Sequence, residues 1–210
     1  MLIVRTENAV AAWRQTLGKL IREGGATGNS KYFRDEFVTI ELSNPSIEPA
    51  DPLFPMSQDD LDTINRFIIS GENESGVIHD WTKIYHHRMF DQPHSQVENM
   101  VAALAKDGLS GQALMSLWDK TIDPYQTVRP CTLVIWGRKK EGKLELHVHA
   151  RASDAYSKLL MNLQEFIALQ KYLAGRLNMP PGKYYHVIDS CHIHSQDEAS
   201  SKALLNKFPS

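Results

Sequence analysis

The stretch that decides the fold runs from residue 129 to residue 162 and reads RPCTLVIWGRKKEGKLELHVHARASDAYSKLLMN. TLVIWG (132–137) is rich in β-branched and aromatic residues, which suit a strand. KLELHVHA (143–150) alternates Leu144, Leu146 and Val148 with Glu145, His147 and His149, so one face belongs to a core and the other is polar. Arg138-Lys139-Lys140-Glu141-Gly142 lies between the two runs and ends in glycine, which predicts a hairpin turn. Beyond Asp154 the period changes. Leu160, Leu163, Ile167, Leu173 and Leu177 mark one face of a long helix over 156–177. Met179-Pro180-Pro181-Gly182 predicts a turn. YYHVIDSCHIH (184–194) reads as a last strand.

Working upstream, ENAVAAWRQTLGKLIR (7–22) has helical spacing at Val10, Trp13, Leu17, Leu20 and Ile21, and Gly24-Gly25 ends it. FVTIEL (37–42) is strand-like. SNPSIEPADPLFPM (43–56) carries four prolines and is an extended surface crossing. Ser57-Gln58-Asp59-Asp60 reads as a helix start, and the helix continues through Ile64, Phe67 and Ile68 until Gly71–Gly76 breaks it. Residues 95–106 are amphipathic, with Val97, Met100, Val101 and Leu104 on one face. ALMSLW (113–118) is a strand candidate that precedes the two at 132–137 and 143–150. No repeat interrupts the pattern. The expectation is one α+β unit over 1–210, a mixed sheet with helices packed on it.

Composition removes whole classes of function. The chain has 210 residues, 42% of them hydrophobic and 23% charged, enough for a sizeable core without staples. Lys plus Arg is 23 against 25 for Asp plus Glu, a net charge of −2. Such a chain is expected to bind neither nucleic acid nor membranes broadly. Two cysteines, Cys131 and Cys191, exclude a disulfide scaffold and a four-cysteine zinc module. The first residues turn charged too early for a signal peptide, so a reducing cytoplasm is expected.

Several residues could carry chemistry. Cys131 follows Arg129-Pro130 at a strand start, where an arginine can favour the thiolate. Arg151 can hold a phosphate or carboxylate through its planar fork, and Asp154 can be a plain helix cap or an acid. Asn162 is polar among leucines and needs partners; its amide can satisfy backbone or read a heterocycle edge. His147/His149 and His192/His194 form two His-x-His pairs on strands, with no acidic third ligand at a clear spacing, so no metal is expected.

The order and spacing of these pieces from Trp118 to His194 resemble the thymidylate synthase family. The matching parts are Trp118, Pro130-Cys131, the hairpin at Gly142-Lys143-Leu144, Arg151, Asp154, Asn162 eight residues later, Gly182, His186 and His192-Ile193-His194. Tyr85 in IYHHRMF resembles, loosely, the family's active-site strand with its Tyr and Arg. The short length is similar to compact archaeal-type members. The resemblance implies a thymidylate synthase-like sandwich in which two sheets stack back to back in a homodimer. It implies a pyrimidine nucleotide or nucleoside as substrate and 5,10-methylene-tetrahydrofolate as one-carbon donor. Cys131 would add to C6 of a uracil ring, with Asp154 and Tyr85 as further catalytic groups. Asn162 would read the ring, Arg151 the phosphate, and His192 and His194 the sugar side. Methylation or hydroxymethylation at C5 would follow.

The departures fall on phosphate binding. The family's Ser-Arg-Arg motif aligns with Ser110-Gly111-Gln112, so Gln112 stands where a phosphate-binding arginine is expected. Two charge-assisted contacts, each worth roughly 1.5–3 kcal/mol, are absent from that motif. His86, His87, Arg88, Arg129 and Arg138 are the candidates to replace them. Thr132, Ala152 and His194 stand where the family has His, Ser and Tyr. No residue near 58–74 matches the family's catalytic glutamate, and SKALLNKFPS does not resemble its closing tail. An altered pyrimidine substrate fits this pattern; the alternative is a non-catalytic nucleotide-binding or interaction paralogue.

Overall fold

Two strand–helix–strand crossovers organise the chain. The computed structural model describes residues 1–28, 31–91, 93–106 and 111–208. Strand β1 (Leu2–Thr6) leads through helix α1 (Ala9–Glu23) to strand β2 (Tyr32–Leu42), which pairs parallel to β1. Near the C-terminus, β5 (Lys143–Asp154) leads through α5 (Leu159–Arg176) to β6 (Pro181–His194), again parallel. Strand β4 (Thr132–Lys140) joins β5 through a two-residue turn, Glu141-Gly142, with φ of 52° and 74°. Positive φ at both positions is the geometry that matches strand twist in tight hairpins. Strand β3 (Leu114–Ser116) closes the edge, giving the order β1-β2-β6-β5-β4-β3 in one mixed sheet.

The alternation read from 143–150 sets the layers. Leu144, Leu146 and Val148 are buried with Leu2, Val4, Val38, Ile40, Tyr184 and Ile188 under α1 and α5. The opposite face carries a cross-strand row in register: Leu114, Trp136, His147, Tyr185, Glu41 and Arg5. His147 sits with its ring centroid 4.8 Å from Trp136 and 4.5 Å from Tyr185, stacked on the latter. All three are half-buried.

Helix α5 is buried on every side from Leu159 to Gln170, as a helix enclosed by other elements must be. The sheet and α1 cover part of it, and α2 (Gln58–Ser70) and α4 (Gln96–Lys106) cover more. Its polar residues are cross-links. Gln164 donates to Glu48 O and accepts from Asn65, tying in the 43–56 crossing and α2. Gln170 donates to Leu144 O, Gly182 O and Lys183 O. It thereby satisfies carbonyls where the β5–β6 register slips between Leu144 and Leu146.

Helix starts follow the sequence signals. Asn8 accepts from Ala11 N at 2.9 Å, and Ser57 accepts from Asp60 N at 3.1 Å. Gly71, at φ 69°, ends α2. Other expectations are corrected. Tyr85 lies on a helix, α3 (Asp80–Phe90), not on a strand. Its low amphipathicity hid it, because residues contact α2, α4 and the 117–131 loop on different sides. Strands β2 and β5 run five and four residues beyond their expected bounds, to Tyr32 and Asp154. The N-terminal strand and the last helix, α6 (Glu198–Leu205), have patterns too short to read. Ser110 lies outside the described residues. No described helix is long and apolar enough to cross a membrane.

Helix α3 holds the chain that leads into β4. Arg88 makes a two-pronged pair with buried Asp123, both contacts at 2.6 Å, and also donates to Leu117 O. Asp123 accepts in addition from Asp119 N at 2.7 Å. The Arg88 hydrogen bond holds the Asp123 carboxyl below the usual carboxylate range. Arg88→Met would strand this buried charge. Urea denaturation is expected to show a loss of about 3 kcal/mol or more, and adding Asp123→Leu should recover most of it.

Candidate active site

Helices α3 and α5 and the ends of β4–β6 enclose a cavity of about 200 Å³. It is lined by Trp81, Tyr85, Cys131, Ala152, Ser153, Asp154, Lys158, Asn162, His192 and His194. Six of the nine sequence-predicted site residues meet here. A larger, open groove of about 680 Å³ beside α1, lined by Arg14, Arg22, Glu48 and Phe208 among others, contains none of them. The smaller volume lies below the ~300–1,000 Å³ of drug-sized pockets and is the size of a single small ring system.

Cys131 precedes β4, where pairing is irregular between Thr132 and Val134. Its N–H and that of Thr132 both donate to the Tyr85 phenol oxygen, at 3.0 and 2.9 Å. Its carbonyl accepts from Arg151 N at 2.9 Å. The Arg151 side chain donates to Pro130 O at 3.0 Å and to Arg129 O at 3.4 Å. The nucleophile candidate is therefore gripped from two sides through its backbone, and its thiol remains partly exposed. Burial pushes the thiol up, and the Arg151 charge opposes that rise. The cation beside Cys131 is thus Arg151. The Arg129 side chain is exposed and turns to the carbonyls of Gln126 and Pro124. Cys191 is fully buried on β6, and burial raises its thiol strongly.

Asn162 donates from its amide to Ser153 Oγ at 3.2 Å, which fixes the plane of the side chain. Asp154 caps the turn before α5: it accepts from Tyr156 N, Ser157 N and Ser157 Oγ at 2.9, 3.3 and 2.5 Å. His192 stacks on Tyr32 with 4.1 Å between centroids, and its Nδ1 lies 3.1 Å from Ser190 O. Donation to that carbonyl leaves Nε2 as an acceptor. Burial lowers the His192 value and so favours the neutral ring. His194 lies beside it, tilted on the same Tyr32.

The remaining expected contacts are elsewhere. Gln112 is exposed and does not line the cavity. Buried His86 faces Ile68 O, His87 sits between Asp91 and Glu74, and Arg88 is paired with Asp123. Arg138 pairs with Glu145 on the far face of the sheet. None of these lines the cavity. His147 and His149 also lie on that far face, His149 against Asp189 at 3.1 Å. Among the described residues no group of three or more His, Cys, Asp or Glu is placed to hold a metal ion.

The profile of the thymidylate synthase family matches residues 57–210, which hold every residue of this cavity. The chain belongs to the thymidylate synthase family. It is 22% identical over 208 residues to a protein named "Putative thymidylate synthase" from Methanocaldococcus jannaschii, covering 92% of this chain and 91% of the relative. A protein of the same name from Methanosarcina acetivorans is 25% identical, covering 93% and 90%. The thymidylate synthase of Phytoplasma mali is 20% identical over 143 residues, 68% of this chain and 50% of that protein. The α+β sheet architecture agrees with this family.

Within this family member, two cavity residues, Trp81 and Lys158, and two buried residues behind them, His79 and Glu165, have no sequence motif of their own. Lys158, Asn162 and Glu165 are spaced i, i+4, i+7, so they share one face at and beyond the start of α5; that spacing was the available signal. Glu165 is fully buried. One carboxyl oxygen accepts from Thr82 Oγ1 at 3.1 Å and the other has no partner among the described residues. Burial raises it from 4.5 to about 8, partly offset by the Thr82 bond. It is protonated at neutral pH.

Two outcomes follow from this geometry. Between pH 4.5 and about 8 the native state keeps a Glu165 proton that the unfolded chain has released, so stability falls as pH rises across that window. Glu165→Gln should flatten the fall and raise stability at pH 8 by on the order of 4 kcal/mol, read by denaturation at pH 5 and pH 8. Tyr85→Phe removes the acceptor of two N–H groups and should cost about 2 kcal/mol or more. It should also change the rate at which iodoacetamide alkylates Cys131.

Proposed function

We propose that this thymidylate synthase family member transfers a one-carbon unit to C5 of a uracil-containing nucleotide or nucleoside such as dUMP. The observation that carries the reading is the convergence of Cys131, Asn162, His192 and His194 on one heterocycle-sized cavity. The Cys131 thiolate adds to C6: the S–C6 bond forms and the C5–C6 electron pair moves toward C5 and O4. Asn162 is held in plane by Ser153 and offers a donor and an acceptor. That pair complements O4 and N3–H of uracil. Arg151 and the Arg129 segment it grips lie next to Cys131, where the sugar phosphate would emerge, and His192 presents a neutral acceptor to the sugar. Asp154 shapes the cavity wall through the turn it caps.

Methylene-tetrahydrofolate is the donor we assign, and it supplies the carbon and, for a methyl product, the hydride. The donor set suits it: Trp81 stacks on His79 at 4.5 Å and 15° and lines the cavity, a flat aromatic surface of the kind a pterin would take. We read residues 1–210 as one domain acting in the cytoplasm as a homodimer. The half-buried aromatic row of Trp136, His147 and Tyr185 on the sheet's outer face supports a second copy stacked there.

Tritium release from C5-labelled dUMP, UMP, deoxyuridine and uridine, with and without methylene-tetrahydrofolate, tests the reading. Release from at least one is expected, and Cys131→Ser should abolish it. No release from any of them by the intact protein would sink the enzyme reading. Ligand affinity without turnover would favour the non-catalytic paralogue. Nucleosides should compete well with monophosphates, because Gly111-Gln112 supply no arginine and the other candidate cations are turned away from the cavity.

A further inference from the structure

Lys158 is the only lysine or arginine among the described residues that line the cavity. It stands at the turn before α5, half-buried, with its carbonyl accepting from Asn162 N at 2.9 Å. The two side chains are therefore helical neighbours, about 5–6 Å apart at Cβ. The Lys158 ammonium lies 3.2 Å from His79 Nε2 and 5.7 Å from the Trp81 ring centroid. His79 is buried, and burial together with the Lys158 charge lowers it to about 4. At neutral pH its Nε2 is a lone-pair acceptor, and one N–H of Lys158 is aimed by it. The charged groups around the pair are Asp154, which acts on Lys158, and Asp60 and Asp80, which act on His79.

We propose that Lys158 is a catalytic residue that donates a hydrogen bond to O4 of the pyrimidine ring, and that His79 is the residue that positions it. The inference rests on the reading of this cavity as the site of thiolate addition. If Asn162 holds the N3–H/O4 edge, the next group along the helix meets the ring at O4 and C5. Thiolate addition at C6 pushes negative charge onto O4. A fixed ammonium at that edge stabilises the developing charge more than it stabilises the neutral ring. The balance is simple: the S–C6 bond forms, the C5–C6 π pair becomes the enolate pair, and the proton stays on the Lys158 nitrogen. No oxidant, reductant or further reactant is needed.

The test uses C5 tritium release by the full-length chain with the substrate that the wild-type protein turns over. Lys158→Met should lower kcat by about 100-fold or more while the calorimetric Kd for that substrate changes less than threefold. Lys158→Arg should restore part of kcat, because the cation and donor return. It should also abolish the fall in kcat at high pH that deprotonation of the wild-type amine causes, which a merely structural lysine would not do. His79→Gln, which keeps an acceptor, should retain more kcat than His79→Leu. A Lys158→Met protein that keeps kcat within threefold overturns the proposal, as does one that loses only affinity. If Lys158→Met does not fold, a high-pH limb that persists unchanged in Lys158→Arg overturns it equally. Release by the wild-type protein with undiminished variants defeats this inference alone. No release by the wild-type protein defeats the underlying reading first.

Discussion

The Tyr85 hydroxyl is the joint on which the site depends. Its oxygen accepts the N–H groups of both Cys131 and Thr132 at the start of β4, next to the shift in β4–β5 register between Thr132 and Val134. Two unpaired buried donors would be costly, so the irregular strand start persists only because α3 brings a phenol to it. Burial holds that phenol firmly protonated, so it remains a neutral acceptor and does not repel the sulfur beside it. Arg88 and Asp123 fix the preceding loop to the same helix. The position of the sulfur thus follows from α3 as much as from the strand that carries it.

The second constraint is the polar stripe on α5. Asn162, Gln164, Glu165 and Gln170 are buried in the middle of an otherwise apolar helix. Gln164 and Gln170 make several hydrogen bonds and hold the crossing loop and the slipped sheet register. Among the described residues Glu165 makes one, and one of its oxygens has no partner. A protein selecting for stability alone would put an amide or an alkyl group there. The unpaired acid lies within electrostatic reach of Cys131 and Tyr85, so its cost is concentrated at the place where chemistry is assigned.

Much of this was legible in the residues. The β4–β5 hairpin, the alternation along 143–150 and the α5 period are local signals, and local signals fix local elements. Cys131, Asp154, Asn162, His192 and His194 are legible because each belongs to an ordered pattern in the C-terminal half. Helix α3 is not legible in the sequence, because its residues are recruited by three different neighbours and leave no single apolar stripe. Lys158, His79 and Trp81 carry no such signal, for a related reason. His79 and Lys158 are 79 residues apart, and only the packing of α3 on the start of α5 makes them partners. Arg129 shows the opposite error. Two residues before Cys131, it points its guanidinium back along its own loop, and the charge that acts on the thiol comes from Arg151 across the strand pair.

These placements change where binding free energy would be drawn. A nucleotide site that uses several arginines on the phosphate gains affinity remote from the reacting carbon, equally in ground and transition states, and such uniform binding does not speed the chemical step. Here the arginine pair is absent from 111–112, and Arg151 spends two donors on the carbonyls of Pro130 and Arg129. Positive charge is instead placed inside the cavity, on Lys158, one helical turn from the amide that would read the ring. In the proposed reaction, a charge there would act on electron density that appears only as the thiolate adds. The geometry thus favours recognition of the ring over recognition of its phosphate, which is the physical reason to expect a tolerant substrate range at the sugar end and a strict one at the pyrimidine.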